Sequence, residues 1–139
     1  MKKYSDEQIV NSWHINAGPW VSAVRDGEIE SRLLVTNKAI IEAIVESEAK
    51  SVLDVGCGEG WLVRELRQHG VSSLGIDVVA ELIAAANKEG GGRFKCIPYE
   101  KLTYEALNER FDAVVCNFSL LGDKSVTHIF EYASSLLNE

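Results

Sequence analysis

Three glycines alternate behind an acid in the run Asp54-Val-Gly56-Cys57-Gly58-Glu-Gly60. Spacing of this kind makes the backbone take turns that a side chain would forbid, and it lets a ligand come close to the main chain. The plain alternative is a tight strand-to-helix turn that binds nothing. A dinucleotide site of the form G-x-G-x-x-G would place its third small residue at position 61, where this chain has the bulky Trp61. A phosphate-cradling loop fails as well, because no Gly-Lys-Ser/Thr follows. One strand later, Gly75-Ile-Asp77 ends in a carboxylate. Its two oxygens can each accept a hydrogen bond from a vicinal diol. The competing role for Asp77 is to cap the helix expected from about Val79.

Other residue types with chemical potential are isolated. Cys57, Cys96 and Cys116 are widely separated in apolar or Gly-rich surroundings, and they read as reduced, buried small hydrophobes. Neither a C-x-x-C pair nor zinc-type His spacing is present, so no metal site is expected. His14, His69 and His128 read as structural or surface residues, His69 lying near a helix C-terminus where a cation is favoured. No catalytic residue can be named from the sequence.

The elements that must position these groups alternate. Ser5-x-x-Gln8 predicts a capping box and a helix through about Asn16, stopped by Gly18-Pro19. Residues 28–47 carry helical spacing, so residues 1–50 form a helical extension and a candidate lid. Residues 51–139 form the core. Strands are predicted at Ser51–Val55, Ser73–Ile76, Arg93–Ile97 and Ala113–Cys116, and helices at Gly60–His69, Val79–Glu89, Lys101–Asn108 and after Asp123. The last helix carries Val126, Ile129, Phe130, Ala133, Leu136 and Leu137 on one stripe. The fold class is α/β, a Rossmann-like doubly wound parallel sheet whose strands read as continuous apolar runs. Its glycine loop sits at the carboxyl end of the first strand, where such folds bind ligands. With four strands and nothing downstream to cover Ala113–Cys116, the chain is expected to be truncated, or else completed by a partner.

Bulk properties narrow the partners. There are 21 acids against 14 bases, a formal charge of −7, and no basic run longer than Lys2-Lys3. That surface repels phosphate backbones and argues against nucleic acid as a partner. No apolar run approaches the ~20 residues that span a bilayer, and the N-terminus lacks the apolar segment of a secretory signal. A cytoplasmic protein is expected, of open oligomeric state.

The ordered set of segments resembles the class I S-adenosylmethionine-dependent methyltransferases from Val52 onward. In that family a D-x-G-x-G loop, here Asp54, Gly56, Cys57, Gly58 and Gly60, holds the methionine part of the cofactor. The acid ending the second strand accepts the ribose hydroxyls, which implies Asp77 for the diol and Val78 beside the adenine. Where family members often carry Asp-Ala, this chain has Pro98-Tyr99, so adenine contact passes to the Tyr99 backbone and Glu100, unless Tyr99 is surface packing. Phe111-Asp-Ala-Val-Val-Cys-Asn117-Phe-Ser is similar to the family's F-D-x-V-x-x-N/S segment. It implies that Asn117, Phe118 and Ser119 border the cofactor's amino group and sulfonium, the alternative being that Asn117 only satisfies a strand end. Trp13, Trp20 and Arg32 are lid candidates, with Arg32 able to pair with the cofactor carboxylate. The tryptophans could instead simply anchor the extension. The resemblance implies methyl transfer to a small-molecule acceptor, with S-adenosylhomocysteine as product. A non-catalytic cofactor-binding module is the alternative, and a nucleotide-dependent oxidoreductase a more distant one.

Overall fold

The computed structural model describes residues 3–139, so Lys2 of the Lys2-Lys3 pair lies outside the described residues. One sheet holds the four parallel strands β1 (Ser51–Val55), β2 (Ser72–Asp77), β3 (Arg93–Cys96) and β4 (Ala113–Val115), in the order β3-β2-β1-β4. Asp54 lies opposite Gly75 and Val55 opposite Ile76, which brings the carboxyl ends of β1 and β2 level. The chain winds outward from β1 to β3 and then crosses back to β4. Such a reversal of strand order opens a crevice at the carboxyl edge of the sheet.

Around the sheet run α1 (Asp6–Arg25), α2 (Asn37–Glu46), α3 (Trp61–Gln68), α4 (Ala80–Glu89), α5 (Tyr104–Leu107) and α6 (Lys124–Tyr132). Strand β1 is apolar on both faces because both are covered. Leu53 and Val55 join Leu74, Ile76, Phe111 and Ile129 on one side, and Val52 joins Ile44, Leu62 and Leu66 on the other. Full burial of one such side chain is worth about 1.5–3 kcal/mol, so the two layers hold β1 firmly under the loop that follows it.

The outer strands depart from the expected continuous apolar runs. β3 is an edge strand that buries only Phe94, and the residues of β4 are half-buried. Nor is the outer side of this region bare: Leu137 forms a parallel bridge to Phe111. There the Phe111 N–H donates to the Leu136 carbonyl, and the Asn138 N–H to the Phe111 carbonyl, both at 2.8 Å. The bridge lies just ahead of β4.

Several helices also differ from expectation. The Ser5/Gln8 capping box forms, yet α1 does not stop at Gly18-Pro19 and runs on to Arg25 with Pro19 inside it. An interior proline costs roughly 3 kcal/mol. Packing of Trp13, Ala17, Trp20 and Val21 onto Val79 and Leu82 offsets that cost. Ahead of α2, residues Arg32–Thr36 form a π-helical turn in which the Asn37 N–H reaches back to the Arg32 carbonyl. The short helix expected over Lys101–Asn108 is split into a 3₁₀ turn at Tyr99–Lys101 and α5, which Thr103 caps. At the C-terminal end α6 gives way to a 3₁₀ turn, Ala133–Leu136. The buried stripe is narrower than expected: Ile129 and Leu136 are buried, while Phe130, one step round α6 from Ile129, faces solvent. Cys96 is exposed rather than buried, because it lies on edge strand β3. Among the described residues, no helix is long and apolar enough to cross a membrane.

Candidate functional site

The turn out of β1 is fixed by the end of β2. The N–H groups of Gly56 and Cys57 both donate to the Ile76 carbonyl, at 2.8 and 2.9 Å. The Gly58 N–H donates to Asp77 Oδ2 at 3.0 Å and the Val79 N–H to Asp77 Oδ1 at 2.9 Å. Asp77 therefore braces the entry to α4 and the glycine loop at once, and each of its oxygens keeps a second acceptor site. The side chain is buried, which pushes its pKa up, while the backbone N–H groups pull it back down.

The glycines serve different ends. A Cβ on Gly56 would fall 2.3 Å from Ser119 Cβ and 2.5 Å from the Tyr99 hydroxyl. One on Gly60, where φ is +90°, would fall 2.6 Å from the Phe94 ring. At these two positions it is protein that comes close to the backbone, and only at Gly58 would a Cβ meet nothing nearer than an ordinary contact, Trp20 Nε1 at 3.5 Å.

Above the loop lies a cavity of about 400 Å³, walled on one side by the carboxyl edge of the sheet and on the other by the N-terminal helices. Of the expected residues, Gly56, Cys57, Gly58, Asp77, Val78, Tyr99, Glu100, Asn117, Phe118, Ser119 and Arg32 line it. Asp54 and Gly60 do not. Asp54 is buried in the sheet below the loop, and burial together with the charge of Asp77 pushes its pKa up to about 7. Gly60 starts α3 and is spent on packing against Phe94. Tyr99 is no surface residue, since its ring packs on the core and its hydroxyl reaches Gly56. The loop after β4 is pinned by the Ser119 hydroxyl, which donates to the Val55 carbonyl at 2.5 Å. Phe118 beside it is 71% exposed with φ of +57°.

The opposite wall comes from the extension. Trp13 and Trp20 pack edge to face at 5.4 Å, bury against α4 and line the cavity, so they anchor and enclose together. The Arg32 guanidinium lies between two indoles, 5.3 Å from the Trp20 ring and 5.1 Å from that of Trp61. Burial lowers its pKa and nearby Glu59 opposes that shift. Sequence reasoning missed Glu59 and Asp6 as wall residues. Glu59 is 1% exposed, and its Oε2 accepts from Arg25 Nε at 3.0 Å and from Arg64. Asp6 accepts from the N–H groups of Asp123 at 2.7 Å and Ser125 at 2.8 Å. It caps α6 from the far end of the chain, and those bonds hold its pKa down. The Asp6 contacts and the Arg25–Glu59 pair have no local signal, because partners more than thirty residues apart meet only after folding, whereas Arg64 follows Glu59 by five residues. His69 and His128 lie outside the cavity wall, His128 bonding the Leu102 carbonyl at 3.0 Å. Among the described residues, no cluster of three or more His, Cys, Asp or Glu side chains is placed to hold a metal.

A family model described as "Methyltransferase domain" matches residues 52–139. The chain belongs to this methyltransferase family. The ubiquinone biosynthesis O-methyltransferase of Coxiella burnetii (strain RSA 493 / Nine Mile phase I) is 36% identical over 81 residues, covering 55% of this chain and 34% of that protein. Its counterpart from Methylococcus capsulatus is 30% identical over 97 residues, covering 66% and 41%. The chain thus spans little more than a third of these methyltransferase relatives. Among solved structures, the magnesium protoporphyrin IX methyltransferase of Synechocystis PCC 6803 with bound SAM matches with a TM-score of 0.62 at 21% identity, over 74% of this chain and 53% of that one. An S-adenosylmethionine-dependent methyltransferase from Clostridium acetobutylicum matches with a TM-score of 0.62 at 22% identity, over 83% and 53%. At these identities the two methyltransferase structures establish a shared fold.

Proposed function

We propose that this chain carries the S-adenosylmethionine-holding region of a methyltransferase that acts on a small-molecule acceptor. The observation that carries the reading is Asp77, a buried carboxylate ending β2 in the cavity wall, bonded to Gly58 and with acceptor sites left over. Those sites suit a ribose diol. Val78 and Tyr99 flank the place for adenine, and Arg32, some way along the same cavity, suits the carboxylate of the methionine end. The cavity of about 400 Å³ falls within the size range of small-molecule sites.

Bound there, the cofactor supplies a methyl group on a sulfonium, open to in-line attack. The protein's task is to hold that methyl in line with the acceptor and to exclude water. Asn117, Phe118 and Ser119 sit where the acceptor would meet the cofactor, and α1 closes the opposite side. No general base is required unless the acceptor must lose a proton. The acidic net charge supports an acceptor other than nucleic acid. Free thiols, including the exposed Cys96, fit a reducing cytoplasmic setting.

Calorimetric titration with S-adenosylhomocysteine tests the reading, with NADH as control. Binding of the first ligand is expected, with at least a tenfold loss in Asp77→Asn, as for one charge-assisted hydrogen bond. Binding of NADH alone would replace this reading with a nucleotide-dependent oxidoreductase.

A further inference from the structure

Helix α1 carries, side by side, two residues that a helix interior disfavours. Pro19 has no N–H to give the Ile15 carbonyl one turn back, and its ring crowds that carbonyl. Gly18 has no steric reason to be glycine: a Cβ there would meet nothing within 4 Å, and its backbone is not left-handed. The Gly18-Pro19 step therefore weakens the helix at a single point.

The two halves on either side of it are held unequally. Beyond the step, Trp20 and Val21 pack on Val79 and Leu82. Arg25 then meets Glu59 Oε2 at 3.0 Å, the Ala85 carbonyl at 3.1 Å and Glu89 at 3.5 Å. Ahead of the step, none of the described residues 6–16 is fully buried. Ile9, Val10 and Trp13 are half-buried and line the cavity, and Trp13 also touches the Val79 and Leu82 cluster. The far tip of this half is tied down by Asp6, which accepts from the N–H groups of Asp123 and Ser125. Gly122 makes room for that tie. At its φ of +116°, a Cβ would fall 2.8 Å from Asp6 Oδ1 and 2.6 Å from Ser125 Oγ. The neighbouring Lys3–Asp123 pair, at 3.8 Å and exposed, adds little.

Resting on the cofactor reading above for what passes through it, we infer that the first half of α1 is a gate over the cavity, hinged at Gly18-Pro19 and latched through Asp6. With the latch closed, Ile9, Val10 and Trp13 cover the cavity. Opening releases the Asp6 tie and the Trp13 contact and carries all three residues outward, while Trp20 and Arg25 stay in place. Hinges of this kind concentrate the backbone change in a few residues and leave the flanking segments rigid. The motion is cheap, because it breaks two hydrogen bonds to one carboxylate and little buried packing.

The experiment has a ligand-free arm and a ligand arm. In the free wild-type protein, amide exchange at residues 10–17 is expected to run at least about tenfold faster than at residues 21–25. The change comes as a step at Gly18-Pro19 rather than as a gradient from the helix tip. The double variant Gly18→Ala, Pro19→Ala restores the missing donor and shrinks that step. In the second arm, stopped-flow mixing with S-adenosylhomocysteine reads the association and dissociation rates. The double variant slows both by about tenfold, and Asp6→Ala speeds both by about fivefold, the scale of one lost cap. Affinity moves less than either rate, a pattern that a purely structural tie does not give. Exchange that is uniform or smoothly graded along α1 overturns the gate, whether or not the ligand binds or the double variant folds. Unchanged rates in a folded double variant overturn it too. Folded wild-type protein that does not bind S-adenosylhomocysteine overturns the cofactor reading instead, and the exchange step then decides the hinge by itself.

Discussion

The two walls of the cavity are built in different ways. On the sheet side, every residue follows within a few positions of a strand end, and the backbone makes the geometry: two N–H groups share the Ile76 carbonyl and a third reaches Asp77. On the helix side, the wall is a set of side chains on α1 and the π turn, tied down by contacts between segments distant in sequence. Asp6 caps α6, Arg25 meets Glu59, and Trp13 and Trp20 lie on Val79 and Leu82. The first wall is a consequence of folding the sheet. The second can loosen while the sheet stays intact, because local openings draw on the least cooperative parts of a structure. An enzyme that must admit and release a ligand has a use for one wall of each kind.

Gly60→Ala should produce the largest effect and should act on the packing that supports the sheet wall. The new Cβ meets the Phe94 ring at 2.6 Å in a left-handed backbone conformation. A loss of about 3 kcal/mol is expected from strain and overpacking together, read by urea unfolding. If Gly60→Ala folds with wild-type stability, the sheet wall is as pliant as the helix wall and the contrast fails.

Asp54 gives a pH signature to the sheet beneath that wall. Its carboxyl titrates at about 7 in the folded protein, against about 3.9 when unfolded. The folded state therefore binds a proton more tightly than the unfolded chain does. Its contribution to stability is complete below about pH 3.9 and is lost as the pH rises through about 7. Between pH 5.5 and 8 the protein should lose on the order of 2 kcal/mol from this group. Asp54→Asn should remove that part of the dependence; identical profiles for variant and wild type would sink the assignment.

How much of this could be read in advance tracks the same division. Strand β1 and the glycine turn were legible because a left-handed backbone and a two-sided core each restrict the residues allowed, so Gly56, Gly58 and Leu53 carry their own explanation. Asp77 was legible through its place at a strand end. What the glycines meet was not, since Phe94 arrives from β3 and Ser119 from the loop after β4. Pro19 misled because a local rule predicts a helix stop, and the Trp13 and Trp20 packing that overrides it is tertiary. The π turn at Arg32 left no mark in a pattern that already looked helical. Phe130 was misplaced because the apolar stripe drawn on α6 is wider than the face that becomes covered, so Ile129 is buried and Phe130 beside it is not.

Asp6→Ala probes the helix wall, and its effect should be smaller. Losing the cap on α6 costs about 1 kcal/mol. Because the folded-state pKa of Asp6 is held down, its contribution is present above the ordinary aspartate range and fades as the pH falls through the folded value. Hydrogen exchange should show faster opening at the start of α1 and of α6, with protection in β1 and β2 unchanged. A uniform loss of protection across β1 and β2 would mean that the two walls unfold as one unit.

The smallest effect belongs to Phe118, in the loop after β4. An exposed aromatic side chain on a backbone with φ of +57° gains little from packing and carries local strain. Such strain costs about 1–3 kcal/mol and persists where the surroundings impose it, often at functional sites. Phe118→Gly relieves it but adds freedom to the unfolded chain, so the net gain should be only about 0.5 kcal/mol. Affinity for S-adenosylhomocysteine should stay within about twofold, because the exposed ring contributes little to a buried subsite. A stability gain without loss of affinity assigns the strained ring to the acceptor side of the cavity. A loss of stability would show that the ring is held by contacts of its own, and Phe118 would then belong to the packed wall that Ser119 and Gly56 form.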